Sequence, residues 1–230
     1  MCFSAEVSFG AATVLIPAGG LAIYRAYNHE RRYTAIAALP MLFGIQQFVE
    51  GLVWMSGAQA NSHWVEQASL AYMFFSWLAW PVWVPVSTYF VEPERRKPLY
   101  LGFAVAGGML GGIQYFPYFA HDGWLVAKFL PYAISYEGRE ILDFLITREA
   151  TYAIYVAVVI GPLLLSTDHR IKFFGVLVSL VLAVTYFFFS YAYISVFCFG
   201  GALMSIYLVW MVFQGDQLSP CFQFDTASKR

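Results

Sequence analysis

Glu50 is an acidic residue set deep inside an apolar stretch, and no Lys or Arg shares a comparable stretch with it. Counted along its helix, it falls about 9 Å from the bilayer midplane, still within hydrocarbon. An ionised carboxylate at such depth costs about 2.5–3.5 kcal/mol on insertion scales, so it must be protonated, reached by water or paired. Gln46 precedes it by four residues and shares its helical face; Gln47 is adjacent, and Trp54 lies one turn further out. The row Gln46, Glu50, Trp54 is therefore a polar stripe ending in an interfacial ring. It serves either as a hydrogen-bonded network that fixes helix packing or as a ligand, proton or metal site.

Other polar groups are expected at the same depth. They are Tyr72 and Ser76, Gln114 and Tyr115, Tyr152 and Tyr155, then Tyr186, Ser190, Tyr191 and Tyr193, and finally Ser195 and Cys198. The opposite halves, such as 158–165 and 176–184, are almost wholly aliphatic. This asymmetry predicts a polar, aromatic-lined pocket open to the outside, built on Gln46, Gln47, Glu50, Trp54, Tyr72, Gln114 and Tyr193. Some of these tyrosines belong to an interfacial belt instead. Cys2 and Cys198 are expected on the same side, as free thiols, as a disulfide or as metal ligands. Whether a cofactor binds there is left open by the residues.

The elements that must position these groups follow from hydropathy. The 230-residue chain is 60% hydrophobic, 20% aromatic and 12% charged. A soluble domain averages about 45–50% apolar and about 25% charged. Seven stretches approach the roughly 20 apolar residues that span a bilayer: 7–27, 33–55, 68–90, 99–119, 151–165, 173–191 and 194–214. The last two form one apolar run that reads as two helices with a tight turn, or, as a rival, one long helix. Lys and Arg in alternate connections total ten on one side and three on the other. The basic side is cytoplasmic, which favours seven spans. The expected fold is an all-α membrane protein, a seven-transmembrane-helix bundle with the N-terminus outside and the C-terminus cytoplasmic. It has a single domain over 1–215, an ordered outer loop at 120–150 and a cytoplasmic tail at 216–230. That loop reads either as a hairpin of 130–136 and 139–146 turning at Glu137 and Gly138, or as an interfacial helix. The segments 28–32 and 92–97 read as solvated loops facing lipid headgroups. Pro81 and Pro85 are expected to kink the third helix.

Gly107, Gly108, Gly111 and Gly112 make two overlapping GxxxG pairs. They serve packing within the chain or, through Gly107 and Gly111, a homo-oligomer. Several functions are disfavoured. The net charge of −1 gives no nucleic-acid-binding face. His29, His63, His121 and His169 all lie in connections, which counts against an intramembrane zinc hydrolase or bis-His haem. The last span has no Lys for a retinal Schiff base. No Walker motif or GxSxG occurs.

Residues 1–5 (MCFSA), 38–54 (ALPMLFGIQQFVEGLVW) and 195–202 (SVFCFGGA) resemble an uncharacterised family of bacterial multi-pass membrane proteins, a domain of unknown function. The resemblance implies a small protein of the bacterial inner membrane and no particular activity. Relatives of that kind carry His in place of Gln46 and Trp in place of Phe197, so a metal ligand at Gln46 is not implied. The leading expectation is a membrane binding protein, a sensor or an accessory subunit of a larger membrane complex, for a small molecule, lipid or metal. The alternatives are a proton-coupled transporter using Glu50 and a membrane-embedded enzyme with Glu50 as acid/base.

Overall fold

The first helix shows how the bundle is assembled. Ser8, Ala12, Leu15, Gly19, Ala22 and Ala26 are its buried residues, and their alternating spacing of four and three draws one narrow stripe of mostly small side chains. The other faces present Val14, Leu21 and Tyr24 outward. Small side chains let two backbones approach closely, which is how helices associate where lipid is as apolar as the side chains. A Cβ on Gly19 would overlap the Met41 backbone, and one on Gly44 would come within 2.8 Å of Ile16.

The computed structural model describes residues 4–59, 61–121, 123–138, 141–189 and 192–214. Among these are seven helices long and apolar enough to cross a membrane: α1 Ala5–His29, α2 Arg31–Ala58, α3 Ser62–Tyr89, α4 Lys97–Ala120, α5 Arg148–Leu165, α6 His169–Phe188 and α7 Tyr193–Gln214. The last apolar run is thus two helices, as the charge distribution favours. The helix α2 touches α1, α3 and α7 and is the most buried of the seven, so a polar residue on it meets protein more often than lipid.

The third span is irregular in its middle. Phe74–Ala79 winds as a π-helix, and the Trp80 amide reaches back to the Phe75 carbonyl, five residues away. Pro81 supplies no N–H to the turn before it. The Ser76 carbonyl therefore loses both helical donors that could reach it, and the Tyr155 hydroxyl of α5 donates to it at 2.6 Å. Gly111 and Gly107 of α4 press on the same irregular stretch. A Cβ on Gly111 would strike the Trp77 carbonyl oxygen, and one on Gly107 the Pro81 carbonyl oxygen. These two glycines are engaged in contact within the chain.

One end of the bundle carries a β-hairpin, β1 Leu125–Leu130 and β2 Ala133–Gly138, antiparallel with Leu130 opposite Ala133. The hairpin alternative of the sequence reading holds in kind, but its register differs. The turn falls at Pro131 and Tyr132, while Ile141–Phe144 is a 3-10 turn. Proline presets the φ of a tight turn. This register also lets Ile134 and Tyr136 face inward; both are buried, and Tyr136 stacks on Tyr72 with centroids 4.8 Å apart. A shift of one residue would turn both outward.

At the opposite end, Glu92 corrects the expectation that 92–97 is simply solvated. It is buried and accepts hydrogen bonds from the Ser166 hydroxyl at 2.6 Å, the Thr167 amide at 2.8 Å and the Thr167 hydroxyl at 3.0 Å. The carboxylate thereby clamps the α3–α4 connection onto the α5–α6 connection. Asp168 caps α6 by accepting from the Arg170 amide at 2.8 Å and also receives the Tyr33 hydroxyl.

The α3–α4 contact yields a test. Gly111→Ala places a methyl group against backbone rather than against a movable side chain. It is expected to destabilise the protein by about 1–3 kcal/mol, the usual cost of overpacking. Gly102→Ala, at a position where a Cβ meets nothing within 4 Å, should not destabilise it. Denaturant titration of both variants in mixed micelles measures the difference.

Candidate functional site

The buried face of α2 includes Gln46, Gln47, Glu50 and Val53. The first three are wholly removed from solvent. A helix rotates about 100° per residue, so these positions lie on one side and meet α3 and α7, which both pack there.

Two short networks result. In the first, the Trp80 indole N–H donates to Gln46 Oε1 at 3.1 Å, and Gln46 Nε2 donates to Ser76 Oγ at 3.3 Å. Ser76 Oγ in turn meets the Cys198 thiol at 3.6 Å. The amide thus uses its oxygen and its nitrogen to bridge two points one turn apart on α3, across the π-helical stretch. In the second, Glu50 Oε1 accepts from the Ser195 hydroxyl at 2.6 Å, and Oε2 accepts from Gln47 Nε2 at 3.1 Å. Both donors are neutral. Ser195 and Cys198 are three apart on α7, so one turn of that helix serves both networks.

The surroundings are aromatic. Trp77 lies beside Tyr152 and Tyr155, Tyr193 donates to the Tyr152 hydroxyl, and Trp54 reaches Phe129 of the hairpin. Two buried polar atoms on the α2 stripe, Gln47 Oε1 and the Trp54 indole nitrogen, have no hydrogen-bond partner among the described residues; the Trp77 indole nitrogen, in the same apolar cluster as Trp54, is in the same condition.

The structure thus brings Gln46, Gln47, Glu50 and Cys198 into two joined networks, with Tyr72 in the same buried cluster as Cys198. Gln114 is buried on α4. Tyr193 sits to one side with Tyr152, and Trp54 sits toward the hairpin. Cys2, Ser190 and Tyr191 lie outside the described residues, and so does any pairing of Cys2 with Cys198. Among the described residues no group of three or more His, Cys, Asp or Glu could hold a metal ion. A small apolar cavity of about 20 Å³ touches the first network at Trp80 and Cys198. A larger cleft of about 350 Å³ lies elsewhere, between α3 and β1.

Ser76, Tyr155 and Ser195 stand out in the sequence as polar groups without a role, and Trp80 does not stand out at all. Spacing held a usable signal. Ser76 and Trp80 are four apart on one helix, and Ser195 and Cys198 three apart on another, so each pair faces one way. No pattern in the sequence shows that a π-helical stretch turns the α3 pair toward Gln46.

Trp80→Phe keeps the ring and removes the donor. Leaving Gln46 Oε1 without it is expected to cost about 1–3 kcal/mol. The double variant with Gln46→Leu should lose less than the sum of the two single losses, because a shared interaction is then counted once. A double-mutant cycle of unfolding free energies checks this.

No curated protein and no solved structure matches the chain. A family model described as a family of unknown function, DUF6629, matches residues 1–220. That match takes in every helix, the hairpin and both buried networks, and the chain accordingly belongs to the DUF6629 family.

Proposed function

We propose that this chain is a small integral membrane binding protein, a sensor or an accessory subunit of a larger complex, that receives a small molecule or lipid headgroup beside Glu50. The observation that carries this reading is the pair of unpartnered buried atoms, Gln47 Oε1 and the Trp54 indole nitrogen, on the same helical stripe as Glu50. Inside hydrocarbon each unsatisfied polar group costs several kcal/mol. Together they offer an acceptor, a donor and a carboxyl group to a ligand that carries both hydrogen-bonding senses. The expected outcome is that a small molecule co-purifies with the wild-type protein and is lost from Glu50→Gln. Mass spectrometry of the extracted protein reads this directly, and equal recovery from both proteins would remove the proposal.

A second reading is proton-coupled transport. It is favoured by the neutral Gln47 amide that donates to Glu50 and by the free oxygen of that amide. Turning that amide over would present the oxygen to a protonated Glu50, so the pair has a satisfied arrangement in either protonation state. Proton flux into dye-loaded proteoliposomes, abolished by Glu50→Gln, would select this reading over simple binding.

We also propose that the hairpin end faces outward across a bacterial inner membrane and that the C-terminus is cytoplasmic. The support is electrostatic. Arg31, Arg32, Arg95, Arg96, Lys97, Arg170 and Lys172 lie in or beside the connections at the end opposite the hairpin, where basic residues are retained on the cytoplasmic side. A fluorescent protein fused after Arg230 should fluoresce, and alkaline phosphatase fused there should be inactive. The reverse pattern would invert the orientation.

A further inference from the structure

Ser62, Val65, Glu66 and Ser69 follow one another at spacings of three, one and three, which puts them on one face of the first turns of α3. That face does not pack flat against the hairpin. Between it and β1 lies a cleft of about 350 Å³, completed by Gly57 at the end of α2, Gly123, and Leu125, Ala127 and Phe129 of β1. This volume falls at the small end of the range for ligand pockets, about 300–1,000 Å³.

The lining divides into two parts. Val65, Leu125, Ala127 and Phe129 form an apolar wall, with Phe129 40% exposed at its margin. The polar part is Glu66 with two serine hydroxyls. Glu66 Oε1 accepts the Gly123 amide at 3.0 Å, which orients the carboxylate and leaves further lone pairs free, since a carboxylate accepts at about four sites. Gly123 holds a φ of +74°, a conformation that favours glycine. Ser69 is 1% exposed, and its hydroxyl has no hydrogen-bond partner among the described residues although it lines the cleft. Glu66 is the one ionisable residue of the lining among the described residues. Lys128, the basic residue of β1, pairs with Glu137 at 2.6 Å.

We propose that this cleft is a binding site for an ammonium-bearing amphiphile. An ammonium group carries three donors and no acceptor. Glu66 supplies the countercharge, the two hydroxyls accept the remaining N–H groups, and the apolar wall takes the alkyl or aryl stem. A carboxylate or phosphate head would meet the Glu66 charge, and a neutral alcohol would leave that charge unused. A lipid with an amine headgroup and a free aliphatic amine both carry this chemistry. The site is separate from Glu50 and stands whether or not a ligand binds there.

The test uses n-octylammonium as the probe, with octanol and octanoate as controls, titrated into the full-length protein in phosphatidylcholine nanodiscs at neutral pH. Octylammonium is expected to bind at least fivefold more tightly than either control. Glu66→Gln, which keeps an acceptor for the Gly123 amide, should weaken it at least fivefold with the thermal midpoint of the unliganded protein unchanged. Glu50→Gln should leave this binding unaltered, which separates the cleft from the intramembrane site. Competition by phosphatidylethanolamine nanodiscs assigns the amine to lipid, and absence of competition assigns it to a free amine; the cleft stands in both cases. Binding of octanoate as tight as that of octylammonium, or a Glu66→Gln effect under fivefold, would show only partitioning into the bilayer and overturn the proposal.

Discussion

The polar groups on the buried face of α2 are removed from solvent, and most of their partners come from other helices. The requirement for a partner is severe because an unsatisfied group in hydrocarbon forfeits several kcal/mol. Gln46 meets it with Trp80 and Ser76 of α3, and Glu50 with Ser195 of α7. Each bond fixes both the rotation of a helix and its height against α2, whereas apolar contacts tolerate sliding. The polar stripe therefore sets the register of three spans.

The irregular middle of α3 is what lets this register exist. A proline in a span removes a donor, and the structure answers with a π-helical stretch, a tyrosine hydroxyl on the orphaned Ser76 carbonyl, and two glycines of α4 pressed against neighbouring carbonyls. Ser76 uses both its oxygens in this arrangement, the carbonyl toward Tyr155 and the hydroxyl among Gln46 and Cys198. Helix α5 is thereby tied to the same residue that α2 and α7 contact. Insertions of this kind recur at functional sites, and here the insertion lies one turn of helix from the buried carboxylate's own network.

The two ends of the bundle are closed by different means. At one end Glu92 gathers three donors from the α5–α6 connection, and Asp168 joins a helix cap to Tyr33. At the other, a hairpin inserts Ile134 and Tyr136 among the helices and leaves a cleft along β1. The first closure consists of charged hydrogen bonds and is tight. The second rests on ring stacking and apolar contact over a partly open seam.

The number of long apolar helices and the depth of Glu50 within one of them were legible in the residues themselves. Both depend on local quantities: about 20 apolar residues cross a bilayer whatever surrounds them, and an acidic residue inside an apolar stretch is visible by inspection. The row Gln46, Gln47, Glu50 was equally legible, because helical spacing alone puts those side chains on one side. Which groups answer that row was not. Trp80 and Ser195 are 34 and 145 residues from the groups they bond, and their approach is decided by a π-helical stretch and by close glycine contacts. The hairpin register and the burial of Glu92 belong to the same class. The sequence determines what each helix must bury, because hydropathy acts residue by residue; only the tertiary structure decides which partner each buried group receives, because hydrogen bonds in a bundle join positions brought together by packing.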